Sequence, residues 1–151
     1  MEAETNYCYN SKGTDFMKKV FSRVFIKDTA GDFLIIRDRA DVWNFPGGKK
    51  EIGETTMECA IREVYEETAL RISQVEEVYQ ADFLFEGVEW EGHFYFAHQV
   101  SGRPTLNEPN KIKGVQFISE LSSVEFSPSL ASLFRWLSKQ DDLKTEHTIW
   151  C

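Results

Sequence analysis

The sequence predicts an α/β or α+β fold in which helices pack on a mixed β-sheet. Two observations carry that expectation. Short apolar runs of strand character are interleaved with two segments of helical periodicity, and 151 residues suffice for one hydrophobic core but not for two. The expected organisation is a polar N-terminal segment over residues 1–15, a folded domain over 16–140 and a C-terminal tail over 141–151, without repeats or linkers.

The first strand is expected between Phe16 and Asp28, where Val20, Phe21, Val24, Phe25 and Ile26 gather. Thr29-Ala30-Gly31-Asp32 supplies a turn, and Phe33-Leu34-Ile35-Ile36 reads as a buried strand, so the two should form an opening β-hairpin. Trp43 to Lys50 reads as a loop marked by Pro46-Gly47-Gly48. A helix should follow from Thr55 to Thr68. Thr55 and Glu58 make a capping-box pattern, and Met57, Ala60, Ile61 and Val64 recur at helical spacing as one apolar stripe. Strands return between Val75 and Val100 around a turn near Glu86-Gly87, with Trp90, Phe94, Phe96 and Val100 alternating with mostly polar residues. Ser101 to Lys113 reads as a loop and Val115 to Ile118 as a short strand. Ser127-Pro128 then offers a cap and a first-turn proline to a second helix carrying Leu130, Leu133, Phe134 and Leu137. Asp141 to Cys151 is too short for its pattern to assign.

Composition narrows the function. The formal net charge is −8 with no run of Lys or Arg to offset it, a surface that repels nucleic-acid backbones and anionic membranes. A small polyphosphate can still bind such a protein where metal ions mediate the contact. No apolar stretch is long enough to cross a bilayer, and Met1 to Asp15 lacks a signal-like apolar core, which makes the cytoplasm the default compartment. Cys8, Cys59 and Cys151 have neither disulfide-framework nor metal-knuckle spacing and are expected to be free thiols.

The segment richest in chemistry is Arg62-Glu63-Val64-Tyr65-Glu66-Glu67. On a helix Glu63 and Glu67 lie one turn apart with Glu66 beside them, so three carboxylates share a wedge adjoining the apolar stripe. Like charges at this spacing cost an isolated helix about 0.2–0.5 kcal/mol per pair, a penalty that a hard divalent cation reverses. A solvated acidic face is the commoner explanation of the glutamates taken alone, and Arg62 has a plain surface role between Glu58 and Glu66. The preceding Phe45-Pro46-Gly47-Gly48 alters that balance, because two glycines there let backbone groups approach a metal or phosphate.

The combined spacing of Gly48, Glu54, Arg62, Glu63, Glu66 and Glu67, with Val64 and Leu70 at aliphatic positions, resembles the box of the Nudix (MutT-like) hydrolases. The match runs from Gly48 to Leu70, and a looser likeness extends from Val20 to Leu137. One position departs: Ala69 stands where the family has a helix-ending glycine. A left-handed alanine costs on the order of 1 kcal/mol, so the helix is expected to end differently.

The resemblance implies a Nudix-type α/β/α sandwich and Mg²⁺-dependent hydrolysis of a phosphoanhydride bond in a nucleoside diphosphate linked to another moiety. It assigns Glu63, Glu66 and Glu67 to magnesium, with manganese as the alternative, and the Gly47 carbonyl as a further ligand. The base that takes the proton of the attacking water is left open among Glu66, Glu63 and, from the late loop Glu108-Pro109-Asn110-Lys111, Glu108. Arg62 and Glu54 are expected to pair and to orient the helix against the loop. Gly48, Trp43, Phe45 and Phe83 are the candidates for substrate contact, the three aromatics by stacking on a base, with core packing as their alternative. The implied partner is a small nucleotide, not a nucleic-acid polymer or a membrane; a homodimer stays open.

The nucleotide itself is approached by elimination. No proline lies between Pro46 and Pro104, where ADP-ribose subfamilies often carry one, and Phe85 stands near that place. Glu86, Gly87 and Val88 occupy positions where the dinucleoside-polyphosphate type has a tyrosine. In Phe126-Ser127-Pro128-Ser129-Leu130, Leu130 matches the asparagine of bacterial oxidised-purine enzymes. A nucleoside or deoxynucleoside triphosphate, cut to monophosphate and pyrophosphate, is therefore expected. The alternatives are ADP-ribose, dinucleoside polyphosphates or nucleotide sugars as substrate, a non-catalytic Nudix sensor, or a structural acidic domain. His93 and His98 lack metal-ligand spacing and read as structural or exposed.

Overall fold

The computed structural model describes residues 7–9, 15–39 and 41–151; the expectations for the rest of the N-terminal segment and for the Cys8 thiol fall outside them. In chain order the elements are β1 (Tyr7–Tyr9), β2 (Asp15–Met17), β3 (Lys19–Phe25), β4 (Phe33–Asp38), β5 (Trp43–Asn44), β6 (Gly47–Lys49), α1 (Thr56–Thr68), β7 (Arg71–Phe85) and β8 (Val88–Ser101). After them come β9 (Ile112–Ile118), α2 (Ala131–Leu137), α3 (Asp141–Thr145) and β10 (Ile149–Trp150), with single 3₁₀ turns at Leu121–Ser123 and Pro128–Leu130.

β8 is the spine of the main sheet. It pairs antiparallel with β7 along one edge and parallel with β3 and then β10 along the other, and β6 adds antiparallel to β3. A second sheet orders β5-β4-β9. Helices cover both faces. Ala60 and Val64 of α1 pack with Val24, Leu34, Tyr95 and Ala97, while Leu133 and Leu137 of α2 join Phe25, Phe45, Phe94 and Phe96. The architecture is the expected α/β/α sandwich on a mixed sheet.

Several local expectations are corrected, each for a physical reason. β3 and β4 do not form a hairpin. The turn is made, with Leu34 N–H donating to the Ile26 carbonyl at 2.8 Å, but the strands then enter different sheets. Val24, Phe25, Ile26, Leu34, Ile35 and Ile36 are all buried, and strands apolar on both faces need more cover than a two-stranded ribbon gives. The central part of β8, Gly92 to Ala97, is buried throughout for the same reason, so its apparent alternation is not the burial pattern. Trp43 to Lys50 is not wholly a loop, since it contains β5 and β6.

The helix forms as its capping signals dictate: Glu58 N–H donates to Thr55 Oγ1 at 3.0 Å, and Thr55 N–H to Glu58 Oε1 at 2.8 Å. The buried face of α1 is rotated from the expected stripe. It holds Cys59, Ala60, Val64, Glu67 and Thr68, and leaves Met57 42% and Ile61 37% exposed. Turning Glu67 inward is what turns those two outward. The expectation of a second helix is met in part: the Ser127 side chain accepts from Ser129 N–H and Pro128 opens a 3₁₀ turn that leads into α2, which itself has no side-chain cap. Leu130, Leu133 and Leu137 are buried, with Phe134 half-buried.

The C-terminal residues, unassignable from pattern, dock on the buried Lys27. Its ammonium donates to the carbonyls of Leu143 and Glu146, its N–H to Thr148 Oγ1 at 3.0 Å, and its carbonyl accepts from Trp150 Nε1 at 2.7 Å. Cys59 and Cys151 are free, the first buried and the second exposed. No helix among the described residues is long and apolar enough to cross a membrane.

Candidate active site

Pairing of β6 with β3 sets Gly47 opposite Arg23 and Gly48 opposite Ser22. Neither glycine can carry a side chain as the strands stand. A Cβ on Gly47, whose φ is 152°, would lie 2.0 Å from the Ser22 carbonyl oxygen. A Cβ on Gly48 would lie 2.4 Å from the Glu63 carboxyl carbon, so the bare backbone of Gly48 is the space that Glu63 fills.

α1 brings its carboxylates to this edge. Glu67 is buried and accepts the Gly47 N–H at 3.0 Å; the Gly47 carbonyl accepts Arg23 Nη1 at 3.0 Å. Arg62 is the hub of the exposed side. It meets Glu54 through Nε at 3.0 Å and Nη2 at 2.7 Å, and Glu63 through Nη1 at 2.8 Å. Glu66 lies 3.4 Å from the same Nη1, and the Lys49 carbonyl accepts from Nη2 at 3.1 Å. The expected pairing of Arg62 with Glu54 is thus made, whereas Glu58 is engaged in the helix cap. Among the described residues, no three His, Cys, Asp or Glu side chains are closed around a common point.

The electrostatics follow from burial. Desolvation pushes the Glu67 carboxyl up to about 7, with the Arg23 charge and the Gly47 N–H opposing it only in part. Burial raises Glu63 too, against the pull of Arg62. Burial alone would raise Glu54, but hydrogen bonds from Arg62 and from the Glu51 N–H outweigh it and leave that carboxyl below its usual range. The bond to Glu54 in turn holds the Arg62 guanidinium proton more firmly. Burial pushes the Cys59 thiol up to about 11, which keeps it a thiol, not a nucleophile, at neutral pH.

A cavity of about 490 Å³ opens on this cluster, lined by Glu63, Glu67, Gly47 and Gly48 together with Arg23, Arg39, Lys49 and Lys111. A second, of about 520 Å³, shares Arg23, Asp38 and Lys49 with it and is walled by Phe85, Trp90 and Asn44. Asn44 Oδ1 accepts the Phe45 N–H at 2.8 Å, which leaves its amide as a donor. Glu108 lines neither cavity. Its charge acts on Glu67, and its Oε1 is buried without a hydrogen-bond partner.

Two stacking candidates are corrected. Phe45 is 0% exposed and Phe83 3%, both inside the aromatic core, so neither has a face for a base, and their core-packing alternative holds. Trp43 is half-buried over Arg37 and against Gly114 and lines neither cavity. Sequence reading missed Arg23, Lys49 and Asn44. Their place depends on the β3–β6 and β4–β5 registers, for which the sequence holds no local signal.

The box geometry agrees with what the chain resembles. Residues 17–137 match the family described as the NUDIX domain. Over 114 residues, 72% of this chain, it is 30% identical to the mRNA-decapping protein g5R of two isolates of African swine fever virus. The chain spans 45% and 44% of those proteins, less than half the length of the curated relatives it matches. Among solved structures, the MutT NUDIX hydrolase from Burkholderia pseudomallei superposes with a TM-score of 0.69 at 22% identity, covering 82% of this chain and 98% of that one. The MutT protein from Methanosarcina mazei Go1 gives 0.69 at 20% identity, covering 80% and 92%. At those identities the likeness is one of fold. The match over residues 17–137, together with the viral relatives, carries more: the chain belongs to the NUDIX domain family.

Proposed function

We propose that the protein is a divalent-metal-dependent hydrolase that cuts a phosphoanhydride bond in a nucleoside diphosphate linked to a further group. A nucleoside or deoxynucleoside triphosphate, cut to monophosphate and pyrophosphate, is the favoured substrate. The observation that carries this reading is the meeting of half-buried Glu63 and buried Glu67 with Arg23, Lys49 and Lys111 in one cavity. Carboxylates that share a wall with cations suit a substrate and an ion of opposite charge bound together.

The donor set fits magnesium or manganese. Every side-chain donor is a hard carboxylate oxygen. Glu63, Glu66, Glu67 and the Gly47 carbonyl would hold the ion. Once bound, it supplies charge neutralisation at the phosphate oxygens and acidifies a water. Arg23 and Lys49, common to both cavities, are set to bind the phosphates. The second cavity suits the nucleoside, with Trp90 and Phe85 as its apolar wall and the Asn44 amide as a donor to the base. Glu63 is committed to Arg62 and Glu67 to Gly47. Glu66, with only 3.4 Å contacts, is thus freer than either to take the water's proton, with Glu108 of the late loop as the alternative.

A second reading has its own support in the viral relatives, whose name gives mRNA decapping as their role. A cap is joined to its RNA through phosphoanhydride bonds, the same bond type, although a net charge of −8 disfavours an RNA polymer. One panel separates the readings: nucleoside triphosphates, ADP-ribose, dinucleoside polyphosphates, nucleotide sugars and a capped oligonucleotide, each with Mg²⁺. Pyrophosphate release from a triphosphate is the expected result. Preference for the capped oligonucleotide would favour the second reading, and no product from any member would contradict both.

A further inference from the structure

Away from the carboxylates of the cavity, polar groups of β7, β8 and the start of α1 form a chain of their own. β8 places Glu91, His93 and Tyr95 at alternate positions, on the face that α1 covers. His93 is 7% exposed, and both of its ring nitrogens meet carboxylates: Nδ1 lies 2.8 Å from Glu77 of β7, and Nε2 lies 2.6 Å from Glu91. Glu91 also pairs with Lys18. Glu77 is the cross-strand register partner of Tyr95 and acts on its hydroxyl by charge, and that hydroxyl lies 2.5 Å from Thr56 Oγ1 in the first turn of α1. From β3 the Ser22 hydroxyl donates to the Thr56 carbonyl at 2.7 Å. The other charged groups facing the cluster are Lys50 and Glu54, which with Thr55 line a small cavity beside His93, and Asp82, the register partner of Glu91.

An imidazole donates from both nitrogens only when protonated; in its neutral form one lone pair would point at a carboxylate. Two carboxylates flanking one ring at hydrogen-bond distance therefore select the imidazolium, and each then has a fixed partner. We propose that His93 is a positioning residue for the metal-binding helix. As an imidazolium between Glu91 and Glu77 it holds Glu77 against Tyr95, and Tyr95 holds the first turn of α1 through Thr56. Glu63, Glu66 and Glu67, farther along the same helix, thereby keep their places in the cavity. The inference rests on the reading of α1 as the metal-binding helix.

The test joins spectroscopy to kinetics. Nitrogen-15 NMR of the intact protein at neutral pH is expected to find both ring nitrogens of His93 protonated; a neutral tautomer would overturn the proposal. With the substrate that the panel identifies, His93→Gln should lower kcat about tenfold while KM changes by less than about twofold. Tyr95→Phe keeps the imidazolium and cuts its link to Thr56. It should lower kcat alike, and the double variant should fall no further. Additive losses, or a kcat unchanged by His93→Gln, would overturn the proposal. If His93→Gln does not fold, the NMR state and Tyr95→Phe decide it. A wild type that cuts nothing removes the hydrolase reading and this inference with it. An active wild type with unaffected variants sinks this inference alone.

Discussion

A buried carboxylate with no full counter-charge is a standing cost to a fold, and Glu67 bears one. Its Oε1 accepts the Gly47 N–H, a bond that a glutamine oxygen can also accept. Glu67→Gln should therefore fold, and in the metal-free protein above neutral pH it should melt at a higher temperature than the wild type. A lower melting temperature would contradict the burial argument. Ala69 bears a second local cost. The helix ends as a glycine would end it, with Ala69 left-handed at φ 64° and its N–H on the Tyr65 carbonyl, against the expectation of a different end. Ala69→Gly should stabilise the protein by about 1 kcal/mol, less the backbone entropy that glycine loses, as read from urea unfolding.

At the scale of elements, the two glycines of β6 should respond differently to alanine. At Gly47 the added methyl meets backbone of β3 that cannot move aside, and a loss of about 3 kcal/mol is expected. At Gly48 it meets only the mobile end of Glu63, so Gly48→Ala should fold and lose hydrolytic activity as that carboxylate is displaced. Equal melting temperatures for the two variants would refute the distinction. The box residues were legible in the sequence because their chemistry sits at fixed helical spacing, and the cap of α1 because Thr55 and Glu58 are local to each other. The rotation of α1 was not. Met57 and Ile61 are as apolar as the core positions, and only docking against β6 decides that Glu67 turns inward in their stead. Nor were the roles of Arg23, Asn44 and the C-terminal residues, which depend on strand registers and on contacts with Lys27.

For the whole molecule, the raised carboxyls make stability depend on pH in a definite direction. The folded state binds the Glu67 proton more tightly than the unfolded chain does. The stability linked to that proton is whole below about pH 4.5 and is lost as pH rises to about 7, with Glu63 acting in the same sense. Metal-free protein should thus unfold at lower urea concentration as pH rises through that window, and Glu67→Gln should flatten the trend. Glu54 and Glu91, both held low, act oppositely and only in more acid solution. Magnesium should raise the melting temperature more above neutral pH than below it, because protons and the ion compete for the same oxygens.

The most direct test measures pyrophosphate release from nucleoside triphosphates by wild type and Glu67→Gln across a magnesium titration. Wild-type turnover should rise with magnesium and vanish on its chelation, and a folded Glu67→Gln should show none. Magnesium-independent turnover, or equal rates for the two proteins at saturating magnesium, would contradict that expectation.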